Sequence, residues 1–111
     1  MSHILDQLAD IIAARKTASP KRSHTAQLLS SGIEKCAQKF GEEAIEAVIA
    51  LTSGDKPAIT AEAADVLYHL LVALEAAGVD YKDVLVELER RTGQSGLAEK
   101  AARKPQSQTS R

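Results

Sequence analysis

Residues 33–52 read IEKCAQKFGEEAIEAVIALT, and this stretch decides the fold. Ile33, Cys36, Ala37, Phe40, Ala44, Ala47, Val48 and Leu51 recur at spacings of three and four, the period of one helix face. Ser53-Gly54-Asp55-Lys56-Pro57 then reads as a tight turn, with Gly54 as the stop and Pro57 near the start of a new helix. That helix spans residues 58–77. Its apolar residues Val66, Leu67, Leu70, Leu71, Val72 and Leu74 spread around much of its circumference, which predicts burial on more than one side.

The rest of the chain is helical as well. Ile4, Leu5, Leu8, Ile11 and Ile12 carry helical spacing over residues 3–16, and Ala18-Ser19-Pro20-Lys21-Arg22 is a polar linker. Ser23 or Thr25 suits the cap of a short helix running to about Ser30. Gly78 stops the long apolar helix and Asp80 caps the next, over 81–91, which turns Val84, Leu85 and Leu88 inward. Gly93 to Gly96 break that helix. A short helix over 97–103 follows, and residues 104–111 form a disordered tail outside a single domain at 1–103. The expected fold is all-α, with four to five helices. A helix apolar on several sides needs more cover than one short chain supplies, so a homodimeric bundle is expected.

Composition narrows the function. The 111 residues include three aromatics, Phe40, Tyr68 and Tyr81, too few for the stacking platforms of single-stranded nucleic-acid binders. The single cysteine, Cys36, excludes an internal disulfide and a multi-cysteine zinc site, and it falls on the apolar face as a structural thiol. No apolar run is expected to approach the roughly 18 residues of a membrane span. The N-terminus lacks a secretory pattern, so a cytoplasmic location is expected. The net charge of -1 conceals a division: residues 1–41 carry +3, residues 42–89 carry -9 and residues 90–111 carry +5.

Two patterns concentrate the central acidity. Glu42-Glu43-Ala44-Ile45-Glu46 sits on the first long helix and Glu62-Ala63-Ala64-Asp65 on the second. Residues three apart share a helix face, so Glu43 pairs with Glu46 and Glu62 with Asp65. Counting about 100° per residue from Ile33, Glu43 falls near 280°, Glu46 near 220° and Lys39 near 240°, on the flank of the apolar stripe. A short turn makes the two helices antiparallel neighbours, and four carboxylates converge. Their repulsion is resolved by a hard divalent cation, with Mg²⁺ favoured by an all-oxygen ligand set and Mn²⁺ a possible substitute. A solvated surface is the ordinary use of either acidic pair alone; the two together shift the balance toward a metal site. His3, His24 and His69 show no zinc-ligand spacing. His69, four residues past Asp65, serves either to orient that carboxylate or simply as a core histidine. Lys21, Arg22, Lys35, Lys39, Arg90, Arg91, Lys100 and Arg103 are the cations available to a metal-bound polyphosphate.

Glu43-x-x-Glu46 followed by Glu62-x-x-Asp65 resembles the metal signature of the all-α nucleoside triphosphate pyrophosphatases, the MazG-like superfamily. Within it, five stretches resemble the phosphoribosyl-ATP pyrophosphatase family of histidine biosynthesis: residues 23–29, 39–44, 64–71, 84–93 and 95–101. The likeness covers roughly residues 3–103 and departs from the family pattern at His24 and Thr92. The resemblance implies Mg²⁺-dependent hydrolysis of phosphoribosyl-ATP to phosphoribosyl-AMP and pyrophosphate. Glu43, Glu46, Glu62 and Asp65 would be the metal ligands, Glu42 would orient the attacking water, and Lys39 would neutralise charge on the leaving pyrophosphate. Lys21, Arg22, Lys35 and Arg91 are the expected phosphate contacts. Two other readings share these residues: a house-cleaning pyrophosphatase for a non-standard nucleoside triphosphate, and a non-enzymatic helical dimerisation module.

Overall fold

The computed structural model describes residues 3–93, and within them the chain is helical with no strand. The helices are α1 (Ile4–Arg15), α2 (His24–Ser30), α3 (Ile33–Ser53), α4 (Lys56–Ala77) and α5 (Tyr81–Thr92). The segments expected as a short helix over 97–103 and a tail over 104–111 lie outside the described residues. Chain contacts divide the protein into two compact units, Met1–Val79 and Asp80–Arg111.

Local chemistry sets the helix boundaries. Ser23 caps α2 by accepting a hydrogen bond from the Ala26 amide at 3.1 Å. Gly54 ends α3 in the left-handed region, at φ 78°, where a side chain would clash with its own backbone. Asp55 follows at once as the cap of α4, accepting from the Ala58 amide at 3.4 Å. This starts α4 at Lys56, two residues ahead of the expected 58, and Pro57 is accommodated in the first turn, where its missing N–H costs nothing.

The unit Met1–Val79 is organised around α4. Its most extensive packing is against α3, and it also meets α1 and α2. Each of the four helices contributes to the core: Ile12 from α1, Ala26 and Leu28 from α2, Cys36 and Ala50 from α3, and His69, Leu71 and Val72 from α4. α4 is long and apolar enough to cross a membrane by length and composition, with mean hydropathy 1.3 over 18 residues. Here that apolarity meets three other helices, as its multi-sided pattern predicts. Thr25 on α2 and Tyr68 on α4 share a hydroxyl–hydroxyl hydrogen bond of 2.5 Å. Cys36 is the buried thiol expected: it is 1% exposed and donates to the Leu28 carbonyl at 3.1 Å.

The orientation of α3 departs from the sequence expectation. Its fully buried residues, Cys36 and Ala50, project near 300° and 260° on the same angular count, not near the 0° of the apolar stripe. Much of the stripe is exposed: Ile33, Val48 and Leu51, joined by Ile45 and Ile49, face outward, with Val48 57% and Leu51 61% accessible. Small residues on the inner face let α4 approach closely; the bulky apolar ones are turned away from it. In the second unit, α5 buries no residue fully among those described. Val84 and Leu85 are half-buried, while Leu88, expected inward, is 51% exposed.

Burial pushes the Cys36 thiol above its ordinary value of 9.0. The unfolded chain therefore ionises first, and the contribution of this thiol to stability is intact below pH 9.0 and lost as pH rises beyond it. The stability difference between wild type and Cys36→Ala, from urea unfolding at stepped pH, is expected to narrow above that point. A gap that stays constant to about pH 10.5 would count against a buried neutral thiol.

A carboxylate cluster on the α3–α4 hairpin

Antiparallel packing about a two-residue turn fixes which residues face one another. Glu43 and Asp65 both lie eleven residues from Gly54, and Glu46 and Glu62 both lie eight. The two acidic motifs are thus mirror images across the turn, and the close packing of α3 on α4 brings them together. Glu43, Glu62 and Asp65 each offer a carboxylate oxygen, all within 4.8 Å of one another. At about 280°, Glu43 lies between the directions of Cys36 and Ala50, so it belongs to the inner face of α3 and not to its flank.

Glu46 lies outside the 4.8 Å set, although its charge is the strongest acting on Glu62 and its side chain hydrogen-bonds that residue. It is exposed and shares with Glu62 a groove of about 340 Å³, whose other walls are Ile49, Ala50, Ser53 and Ala58. Three of the four acidic residues expected to converge therefore form one cluster, with the fourth at its edge.

Among the described residues, the charges acting most strongly on Glu62 are negative. Desolvation first, and then the negative charges of Glu46, Asp65 and Glu43, push the Glu62 carboxyl above the usual range. Its Oε1 is buried with no hydrogen-bond partner. A half-buried carboxylate with an orphan oxygen, facing two further carboxylates, fits a hard divalent cation taking oxygen ligands. It does not fit a structural zinc site, which wants cysteine or histidine.

The neighbouring residues are already engaged. Lys39 pairs with Glu42 at 3.4 Å, and Glu42 also accepts a hydrogen bond from Gln38 at 3.0 Å; these contacts hold the Glu42 carboxyl below its ordinary value. Glu42 is exposed and does not belong to the three-carboxylate group. Lys21 and Arg22 are exposed between α1 and α2, and Lys35 is exposed near the start of α3. Arg91 bonds Glu87 within α5 at 3.0 Å, beside Arg90 at 2.8 Å, and the two guanidinium groups hold Glu87 down to about 2.

His69 resolves toward the core. It is 8% exposed, and burial lowers its pKa, against opposing pulls from Glu43 and Asp65 and reinforcing ones from Lys39 and His24. Its ring meets Tyr68 edge-on, with centroids 4.9 Å apart. It is not, however, a satisfied core histidine, because Nδ1 is buried without a partner.

A helical hairpin carrying mirrored carboxylate pairs, in a chain without strands among its described residues, is the arrangement of the MazG-like all-α fold. The chain belongs to the phosphoribosyl-ATP pyrophosphohydrolase family, whose profile matches residues 5–92. It is 65% identical over 99 residues to the phosphoribosyl-ATP pyrophosphatase of Roseobacter denitrificans, covering 89% of this chain and 94% of that protein. It is 57% identical over 103 residues to that of Rhizorhabdus wittichii, covering 93% and 97%. With that of Methylobacterium radiotolerans it shares 56% identity over 104 residues, covering 94% and 97%.

Crowded carboxylates destabilise a metal-free fold. Glu62→Gln is therefore expected to raise the melting temperature of the metal-free protein. It should also weaken Mn²⁺ binding at least about 10-fold. Thermal melts with and without Mn²⁺ read both effects, and a variant that lost stability without metal while binding Mn²⁺ normally would contradict the assignment.

Proposed function

We propose that this protein hydrolyses phosphoribosyl-ATP to phosphoribosyl-AMP and pyrophosphate, the second step of histidine biosynthesis, with Mg²⁺ as its metal. The observation that carries this reading is the cluster of Glu43, Glu62 and Asp65 in a chain of this family. Those three residues would hold the ion, with Glu46 entering from the groove beside Glu62. The substrate follows from the names of the relatives, and Mg²⁺ from the all-oxygen donor set; Mn²⁺ is an effective stand-in. When bound, the ion supplies charge neutralisation for the triphosphate and lowers the pKa of a coordinated water.

The protein's own groups do the rest. Glu42, one residue from the cluster and tethered by Gln38 and Lys39, would orient the attacking water. Lys39 would balance charge that develops on the departing pyrophosphate. Lys21, Arg22, Lys35 and Arg91 are the phosphate contacts this reading expects. A soluble cytoplasmic location suits this biosynthetic role.

The same reading includes a homodimer. Ile45, Val48, Ile49 and Leu51 on α3, with Leu67 on α4, form exposed apolar surface of the kind a second copy covers. Sedimentation equilibrium is expected to give twice the 11.8 kDa chain mass, and Val48→Asp to halve it. A wild-type protein sedimenting as a monomer at micromolar concentration would remove this part of the proposal.

Pyrophosphate release from phosphoribosyl-ATP, measured with and without Mg²⁺, tests the activity. Turnover is expected to stop in EDTA and return with Mg²⁺. Glu43→Gln and Asp65→Asn should each lower it by at least about 100-fold with unchanged helical circular dichroism. Metal-independent turnover, or near-normal turnover by either variant, would refute the assignment.

A further inference from the structure

Among the described residues, two buried side-chain polar atoms have no hydrogen-bond partner: Glu62 Oε1 and His69 Nδ1. They are not scattered. Residues 62, 65 and 69 project within about 60° of one another on α4, so both orphan atoms flank Asp65 on a single stripe. An unsatisfied buried polar atom is costly and uncommon, and two on one helix face mark a place where partners are missing. Glu62 Oε1 is accounted for by the metal reading. His69 Nδ1 is not, since no part of that mechanism uses it.

The ring's setting limits what it does. Side chains on a helix lean toward the N-terminus, which carries the residue at 69 back over the residue at 65. Across the hairpin, Glu43 is the foremost charge acting on the ring, followed by Lys39, Asp65 and His24. Edge-on packing against Tyr68, itself hydrogen-bonded to Thr25, holds the imidazole in place from the α2 side. Metal-ligating carboxylates are characteristically gripped by a second hydrogen bond from behind. Of the charged residues around the ring, Lys39 is already paired with Glu42.

We propose that His69 is a positioning residue of the metal site, donating its single Nδ1 hydrogen to the Glu43 or the Asp65 carboxylate when these turn to bind the ion. The inference rests on the metal reading given above and extends it by one residue. His69 is not a ligand in this account; it fixes the ligands' orientation and thereby their affinity.

The test compares His69→Phe, His69→Asn and His69→Gln with wild type by Mn²⁺ titration, followed by electron paramagnetic resonance, and by melting of the metal-free proteins. His69→Phe is expected to weaken Mn²⁺ binding about 10–100-fold while leaving the metal-free melting temperature unchanged or higher, because it removes an unsatisfied buried atom. His69→Asn, whose amide nitrogen reaches the place of Nδ1, should retain more affinity than His69→Gln, which mimics Nε2. Wild-type affinity in His69→Phe would overturn the proposal and leave the metal reading standing. So would better rescue by His69→Gln than by His69→Asn, a contrast that remains decisive if the phenylalanine variant does not fold. Failure of the wild-type protein itself to bind Mn²⁺ would overturn both.

Discussion

The close antiparallel approach of α3 to α4 is the constraint from which the other features follow. A two-residue turn, made possible by the left-handed Gly54 and capped at once by Asp55, leaves no freedom in register. On the facing sides, residues equally far from Gly54 are brought opposite one another. Cys36 and Val72, each eighteen residues from Gly54, are both 1% exposed, so the register is anchored by packing one turn and more beyond the carboxylates. The acidic residues are carried into one another's field by that packing, and their repulsion is a cost borne by the fold. The raised pKa of Glu62 is the same conflict seen as a proton equilibrium.

Much of this was legible in the chain. Caps and stops are local chemistry, so Ser23, Gly54, Asp55, Gly78 and Asp80 fix helix ends that sequence alone locates to within two residues. The mirrored spacing of Glu43-x-x-Glu46 and Glu62-x-x-Asp65 about Gly54 is likewise a matter of counting residues along the chain. The direction of α3 was not legible. Periodicity identifies an apolar stripe but does not say what covers it, and here the helix places small residues and carboxylates against α4 while Val48 and Leu51 face out. The side chains of the described chain that look most like core on α3 are its surface. For the same reason Glu43 reads as a flank residue from the stripe and as an inner-face residue from the packing. The satisfaction of His69 was equally beyond reach, since a pattern of letters does not record which ring nitrogen lacks a partner.

This separation of faces has a consequence for how the helix can evolve. On α3, the inner face is constrained by approach distance and by the cluster, because a larger side chain at Cys36 or Ala50 would push α4 away and open the 4.8 Å carboxylate set. The outer face is constrained only by whatever covers it. Two sets of residues interleaved along one helix thus answer to different partners, and substitutions at neighbouring positions act through unrelated mechanisms.

The charge distribution sharpens once the site is placed. A surplus of negative charge in residues 42–89 would be relieved most simply by a lysine or arginine inside the hairpin. The position that mirrors Lys39 across the turn instead carries His69, and burial lowers its affinity for a proton. A fixed cation there would satisfy Glu43 and Asp65 permanently and compete with any ion they bind. A neutral imidazole supplies a directed N–H without supplying charge, so it can steer the carboxylates while leaving their attraction for a cation undiminished. Lys39 itself is drawn off by Glu42 at 3.4 Å, which serves the same end. On this view the pairing of Lys39 with Glu42 leaves the cluster's own negative charge free to attract a cation, and near-neutrality of the whole chain is compatible with it because basic residues lie on either side in the sequence.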